Sequence, residues 1–472
     1  METRVAYKNE GAVLLSKKED HFLDFKSKSI SPNKLQESFV AFANADGGEL
    51  YIGVEDEKYC GERIQGFDKP EDANDIITVV LEQTSPAVEN VDIEFILFDL
   101  KGYVLHISVP KSPKVHHTAQ GRCFIRVNAN KREIKGERVL ALGYAKGSYQ
   151  YEKQPVKHAD ILDIEESPYL KDYMERVGSS LSAQRFLKKQ RLTETVDKNI
   201  YPNVGCVLLF DEEPQATLDT RCAIKLYRMR TSSDVYERRF LDAMPQTING
   251  PLEVAINKTL HAIDQMLENT LYNIEGSYKK SRYPTEAIKE VLVNAVIHRD
   301  YSLSDDIHVI IYDNRIEIKS PGKLPGYITI DNIYDERYSR NPNIVRLLHN
   351  LPEPPNHDIG EGLNTVRNEL HAVGLVAPEI LEKDNAVIVV IKHTKIATIE
   401  QIVRDLFVED PNRSITNGLV RDMSGEQDIN VVKKRLQSLR RKHYIKIKDE
   451  NVSVFRYEYI LDTVGYQEWI LK

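Results

Sequence analysis

The chain has 472 residues, 41% hydrophobic and 29% charged, with a formal net charge of −8. That length suits about two to four domains with real cores, and the acidic balance argues against a uniformly basic nucleic-acid coat while leaving room for local basic patches. No apolar run reaches transmembrane length, Met1-Glu2-Thr3-Arg4 does not open a signal peptide, and Cys60, Cys123, Cys206 and Cys222 form no CxxC pair; a reduced, cytoplasmic protein with no membrane partner, zinc site or disulfide framework is expected.

In chain order, Phe22 to Lys26 reads as a short strand. Lys34 to Ala45 has apolar Leu35, Phe39 and Phe42 at helical spacing, and Asp46-Gly47-Gly48 stops that helix. Glu49 to Val54 is a buried strand, residues 91 to 109 give two alternating strands, and Cys123 to Val127 another. The pattern predicts helices on a mostly antiparallel sheet. His116-His117 lies in a basic loop, where adjacent side chains face apart; a phosphate-facing surface or a mobile loop fits better than a metal site.

Residues 146 to 280 read as a connecting domain. Gly205 to Phe210 is expected to be a buried strand with Ala223 to Tyr227 beside it. Asn249-Gly250-Pro251-Leu252 caps a long helix reaching about Leu271. Arg228, Arg230, Arg238 and Arg239 read first as a solvated charged surface.

From Pro284, apolar Ile288, Val291, Leu292, Ala295 and Val296 recur at helical spacing. Glu290 and Asn294 are four apart and point the same way. An Asn amide oxygen on such a face can bind a hard cation, and a carboxylate one turn earlier can orient water. Spacing alone also fits an ordinary amphipathic helix with a polar exit at His298, Arg299 and Asp300. Residues 307 to 318 predict two strands joined by an Asp313-Asn314 turn. Ser320 to Pro325 is a turn-rich loop, and Arg340 to Ile344 opens a helix. Gly360 and Gly362 flank Glu361 before a helix reaching about Val373, which lets backbone amides approach a phosphate.

The C-terminal part predicts a winged helix. Ile399 to Val408 and Leu419 to Met423 are its first helices. A third starts at Asp428-Ile429-Asn430, with Val431, Val432, Leu436 and Leu439 inward. Lys433, Lys434, Arg435, Arg440, Arg441 and Lys442 lie on its outer surface. Tyr444 to Ile447 and Val452 to Tyr459 form the wing, and Trp469 anchors the tail. A DNA-binding winged helix puts its third helix in the major groove; dimerisation or protein contact is the alternative.

The series from Glu290 to Gly362 resembles the divergent ATPase module of RecG-related bacterial regulators, a variant of the gyrase, Hsp90 and histidine-kinase (GHKL) ATP fold, over roughly residues 280 to 380. The resemblance implies ATP and Mg²⁺ as cofactors. It implies Glu290 as catalytic and water-handling, Asn294 as metal-binding, and Gly322, Gly360 and Gly362 as nucleotide-binding. The usual fold anchors adenine on an Asp that the loop Lys319 to Pro325 lacks, which leaves the base open.

Glu19 with Phe22 to Lys26, then Ala41 to Gly48, then Tyr51 to Asp56, resembles the Schlafen AlbA-type domain over roughly the first 140 residues. That family is described as nucleic-acid binding, and some animal members are RNases with three acidic residues. Carried over, these fall on Glu19, Asp24 and Asp56. Asp24 stands where the family usually has Glu, and Glu55 competes with Asp56. Lys26, Lys28, Lys111, Lys114, Arg122 and Arg126 are expected to form one positive surface, and Lys433, Lys434, Arg435 and Arg440 a second.

The expected fold class is thus α/β and α+β multidomain: an AlbA-type domain over 1–145, a connecting domain over 146–280, a GHKL-like α/β sandwich over 281–397 and a winged helix over 398–472. The expected function is a nucleic-acid-binding, ATP-binding regulator or anti-phage defence component. Its expected partners are DNA or RNA, further copies of itself, and proteins of a regulatory or defence system. The alternative is a nuclease effector holding Mg²⁺ or Mn²⁺ on Glu19, Asp24 and Asp56. The chain has no Walker A, GxSxG or HExxH sequence, so helicase motor chemistry is not expected.

Overall fold

The computed structural model describes residues 2–233, 237–268, 271–274, 277–280, 283–355, 362–393, 399–424, 429–449, 452, 457–462 and 469. Strands β1 (Glu2–Val5), β2 (Leu23–Lys26), β3 (Gly48–Ile52), β4 (Asp92–Phe98) and β5 (Gly102–Val109) form one sheet, ordered β1-β4-β5-β3-β2. Helices α1 (Glu10–Ser16), α2 (Pro32–Ala43) and α3 (Asn74–Glu82) cover it. Alternation along β5 divides the work: Leu105 and Ile107 pack under Leu35, Phe39 and Phe42 of α2. Val104 turns the other way, onto Phe25 and Leu14.

The expected mostly antiparallel sheet is only half realised. The central pairs β3–β5 and β4–β5 are antiparallel, but β2–β3 and β1–β4 are parallel. The reason is the connection: α2 is a crossover from β2 to β3, and such a crossover joins parallel strands. A hairpin of β6 (Cys123–Val127) and β7 (Asn130–Ile134) lies on α2, with Phe124 against Val40 and Ala41. Helix α4 (Glu137–Lys146) leads out.

The next stretch is helical: α5 (Ile161–Glu166), α6 (Pro168–Arg176), α7 (Ala183–Lys189), a hairpin of β8 (Thr193–Val196) and β9 (Asn199–Pro202), α8 (Val204–Phe210) and α9 (Pro214–Leu218). Here the expected strand over Gly205–Phe210 is a helix. All of α8 is buried, so its apolar run carries no period to separate helix from strand. Asn203 Oδ1 caps it by accepting from Cys206 N at 2.9 Å.

There follow β10 (Ile224–Arg228), β11 (Gln246–Ile248), α10 (Leu252–Glu268), the pair β12 (Leu271–Ile274) and β13 (Ser277–Lys280), and α11 (Thr285–Ile297). Then come β14 (Ile307–Ile311), β15 (Arg315–Pro321), α12 (Pro342–His349), α13 (Gly362–Ala372), β16 (Glu379–Lys383) and β17 (Ala386–Lys392). Six strands make one sheet, ordered β11-β10-β14-β15-β17-β16. The expected hairpin at Asp313-Asn314 forms, with β14 antiparallel to β15. The expected boundary at residue 280 does not separate two cores. β10 pairs in parallel with β14, and one apolar cluster runs from Val156 to Ile391.

The C-terminal part contains α14 (Ile399–Glu409), β18 (Ile415–Thr416), α15 (Asn417–Ser424), α16 (Ile429–Arg441), β19 (Ile445–Ile447) and β20 (Glu458–Leu461), with the sheet ordered β18-β20-β19. Val403, Phe407, Val432, Leu436 and Leu439 fill its core, and Trp469 stacks on Tyr444 at 4.9 Å. Val431, expected inward, is 37% exposed. Its neighbour Val432 owns the buried stripe, and successive helical residues diverge by about 100°. The mixed α/β multidomain class is as expected. No helix among the described residues is long and apolar enough to cross a membrane.

Lys146 closes α4 with its ammonium buried, donating to Ala43 O at 2.9 Å. Burial, reinforced by Lys111, pushes its pKa down to about 7. Between that value and about 10.4 the unfolded chain holds a proton that the folded chain has released, so this residue makes stability rise with pH across that window. Lys146→Met should stabilise the protein by on the order of 2 kcal/mol below pH 7. The gain should shrink steadily towards pH 10 in urea denaturation series.

Candidate nucleotide cavity and the flanking basic surfaces

Helix α11 is built to be gripped. Ala287, Ile288, Val291, Leu292, Val293, Val296 and Ile297 are buried. The remaining face carries Glu290 and Asn294 into a cavity of about 360 Å³. Asn294 Nδ2 donates to Glu290 Oε1 at 3.0 Å. With its N–H spent on the carboxylate, the amide offers its oxygen, a hard donor suited to Mg²⁺.

Gly362, the first residue of α13, is pressed onto this pair. A Cβ there would overlap Glu290 Oε1 and lie 3.1 Å from Asn294 Nδ2. Gly322 lines the same cavity with φ +104°, a conformation L side chains rarely adopt. A Cβ on it would also come 2.5 Å from Arg340 Nη1. So Glu290, Asn294, Gly322 and Gly362 share one cavity, whereas Gly360 lies outside the described residues.

Much of the cavity is apolar, with Val291, Ile318, Leu324, Ile328 and Val389 on its walls. Sequence reading missed Lys323, Tyr334, Arg337, Tyr338, Asn364 and Thr365, which also line it. The first four sit in a loop with no period to read. Asn364 Nδ2 donates to Tyr334 O at 3.0 Å and the Arg367 guanidinium lies 5.2 Å from the Tyr334 ring, which ties α13 to that loop. His298, on the floor, is held down to a pKa of about 4 by burial and by Arg340. It is therefore neutral at pH 7, and its Nδ1 has no hydrogen-bond partner among the described residues.

The three acidic residues of the nuclease alternative do not converge. Glu19 and Asp24 meet, and burial together with the hydrogen bond to Asp24 holds the Glu19 carboxyl above its usual range. Asp24 is buried between Lys26 Nζ at 2.6 Å and Arg126 Nη1 at 3.1 Å. Asp56 instead faces solvent and accepts from Lys58 N at 2.9 Å in a local turn. Among the described residues, no group of three His, Cys, Asp or Glu could hold a metal ion.

Of the six cations expected to form one positive surface on the N-terminal part, Lys28, Lys114 and Arg122 are exposed, and all six meet acceptors. Arg126 is buried, stacked on Phe42 at 4.5 Å, and donates to Asp20 O and Leu23 O. Lys111 points into Leu324 O and Ile328 O, and Lys28 into Gly66 O. Lys26 is spent on Asp24, Lys114 pairs with Glu89, and Arg122 bridges Glu37 and Glu133. His116 is likewise internal, held between Pro86 O and Ser112 Oγ. A sequence counts cations; it does not say which carboxylates and carbonyls fold against them. On α16, by contrast, Lys433, Lys434, Arg435 and Arg440 are all exposed. Lys433, Lys434 and Arg435 meet no carboxylate among the described residues.

Two family models match parts of the chain. Residues 19–135 match the family model described as "Schlafen, AlbA_2". Residues 304–391 match the model described as "Putative ATP-dependent DNA helicase recG C-terminal". That second match takes in Gly322 and Gly362, while Glu290 and Asn294 stand just before it. The chain is therefore a multidomain protein with a Schlafen AlbA_2 domain followed by a RecG-type ATPase-like domain, the architecture expected from its motifs. Among solved structures, the DIP2311 protein from Corynebacterium diphtheriae is similar over 95% of this chain and 80% of its own, at 18% identity and a TM-score of 0.39. No curated protein matches.

Arg126 and Lys433 make a contrasting pair. Arg126→Ala leaves Asp24 buried and short of a partner and should cost about 3 kcal/mol or more of unfolding free energy. Lys433→Ala should stay within about 0.5 kcal/mol of wild type. Urea denaturation of both variants checks this.

Proposed function

We propose that this protein is a nucleic-acid-binding regulator whose central cavity takes ATP with Mg²⁺. The observation that carries the reading is the meeting of Glu290, Asn294 and Gly362 at one cavity, with Gly322 in its wall. Two supports are independent of each other: the family match over residues 304–391, and the contact at Gly362, which leaves no room for a side chain beside Glu290.

The residues present fit the group. Asn294 Oδ1 would ligate the cation, which when bound neutralises phosphate charge. Glu290, within hydrogen-bond reach of that amide, would orient and deprotonate an attacking water. The first amides of α13 would meet phosphate oxygens, favoured by the helix N-terminus. The apolar walls suit a base, and neutral His298 on the floor can exchange a hydrogen bond without bringing charge.

Nucleic acid is read at the C-terminal part. The order of three helices and a three-stranded sheet supports a winged helix, with α16 as the helix that enters the major groove. Its Lys433, Lys434 and Arg435, which meet no carboxylate among the described residues, support phosphate contact. Against the nuclease alternative stands the lack, among the described residues, of a third acidic residue that could share a metal ion with Glu19 and Asp24.

Two experiments test this. In calorimetric titrations with Mg·ATP, Asn294→Ala should weaken binding about tenfold, or about 1.4 kcal/mol. Glu290→Ala should spare binding and lower turnover by about 10²–10⁴. Wild type that binds no nucleotide at millimolar concentration would overturn the reading. For nucleic acid, replacing Lys433, Lys434 and Arg435 together by Ala should weaken duplex binding. It should also flatten the log–log salt dependence by up to about 0.9 per cation removed. An unchanged slope would move the contact elsewhere.

A further inference from the structure

The cavity wall from Gly322 to Ile328 is held from outside its own sheet. Lys111 follows β5, in the Schlafen-type domain. Its ammonium donates to Leu324 O at 3.1 Å and Ile328 O at 2.9 Å, and lies 3.8 Å from Asp46. Leu324 and Ile328 both line the cavity. Asp46, in the turn after α2, also lies 3.4 Å from Lys323 Nζ, another wall residue. Glu382 of β16 lies 3.4 Å from Lys323 Nζ and accepts from Leu324 N at 3.0 Å.

The main chain repeats the pattern. Gly326 N donates to Lys146 O at 2.9 Å, at the end of α4. Three separate points of the N-terminal region therefore grip one short stretch of wall: the ends of β5, α2 and α4. Lys111 has a side chain only 12% exposed. Hydrogen bonds from a charged donor shielded from water are about twice as strong as neutral ones. Asp46 is itself braced, accepting from His21 Nε2 at 3.0 Å just ahead of β2.

We propose that Lys111 and Asp46 are positioning residues of the nucleotide cavity, acting across the domain boundary, so that the N-terminal domain sets the cavity's affinity for nucleotide. The proposal rests on the nucleotide reading of the cavity. A nucleotide seated against the wall as it stands gains from a rigid wall. Releasing the wall makes the ligand bear the cost of ordering it. By linkage, any ligand of the N-terminal domain that shifts the joint changes nucleotide affinity, and nucleotide changes that ligand's affinity by the same factor.

The test uses the full chain. Amide exchange is followed by mass spectrometry over residues 322–328, and Mg·ATP affinity by calorimetry, in wild type, Lys111→Met and Lys111→Arg. Lys111→Met should speed exchange in that wall, leave α11 and β15 at wild-type protection, and weaken Mg·ATP by about five-fold or more. Lys111→Arg, which keeps a cation at the joint, should recover most of both. If wall exchange or nucleotide affinity is unchanged in Lys111→Met, the proposal is wrong. Faster exchange along the whole chain in that variant transfers both measurements to Asp46→Asn, which keeps the shape and removes the charge, with the same two outcomes. If wild type binds no nucleotide, the nucleotide reading and the affinity claim fall together. The exchange comparison then still decides whether Lys111 holds the wall.

Discussion

One buried guanidinium holds the centre of this molecule. Arg340 donates to Lys323 O at 2.7 Å, Ala145 O at 2.9 Å and His298 O at 3.4 Å, and faces Asp300 at 3.8 Å. Those acceptors belong to the cavity wall, the end of α4 and the end of α11. A buried cation is tolerated only where acceptors surround it, so the three segments must arrive together. Arg suits the post because its planar fork spreads donors in fixed directions and stays charged despite burial, which lowers its pKa. Gly322 completes the arrangement, since any side chain there would strike the guanidinium.

The chemistry of the cavity follows from that fixed point. Arg340 sits behind His298, and its charge joins burial in keeping that imidazole neutral. Asn341, the next residue, donates to Ile297 O, the last carbonyl of α11, and to Arg299 O just beyond the helix. The far end of the helix cannot drift, so Glu290 and Asn294 keep their aim. Gly362 then needs only to close on them from the other side.

How much of this was legible depended on whether the signal was local. Helix α11 was readable because its apolar residues recur at 3.6 spacing and its two polar residues fall four apart. The β14–β15 hairpin was readable from its turn. Helix α8 was not, because Val204–Phe210 is buried on every side and burial erases period. The wall residues Lys323, Tyr334 and Arg337 were not, because a loop is shaped by what holds it: Arg340 at Lys323, Asn364 at Tyr334 and Tyr327 at Arg337. The boundary expected at residue 280 falls within one apolar cluster for a related reason. β10 and β14 look like separate strands until their pairing unites them.

The charges give the same lesson with a functional edge. Reading Lys111 and Arg126 as phosphate contacts assumed that cations in a nucleic-acid-associated domain face outward. Both face inward, Arg126 onto Asp24 and Lys111 onto the neighbouring cavity wall. Lys28, Lys114 and Arg122 stay exposed, but each already has an acceptor in Gly66 O, Glu89 or Glu37 with Glu133. Lys433, Lys434 and Arg435 on α16 have no such competitor among the described residues, and long-range attraction of a polyanion scales with charge that is both exposed and unpaired. Nucleic-acid contact is therefore best sought first at the C-terminal helix. In the proposal above, the N-terminal domain contributes through its grip on the cavity wall, by the carbonyl acceptors of Lys111 and the ion pair of Asp46 with Lys323.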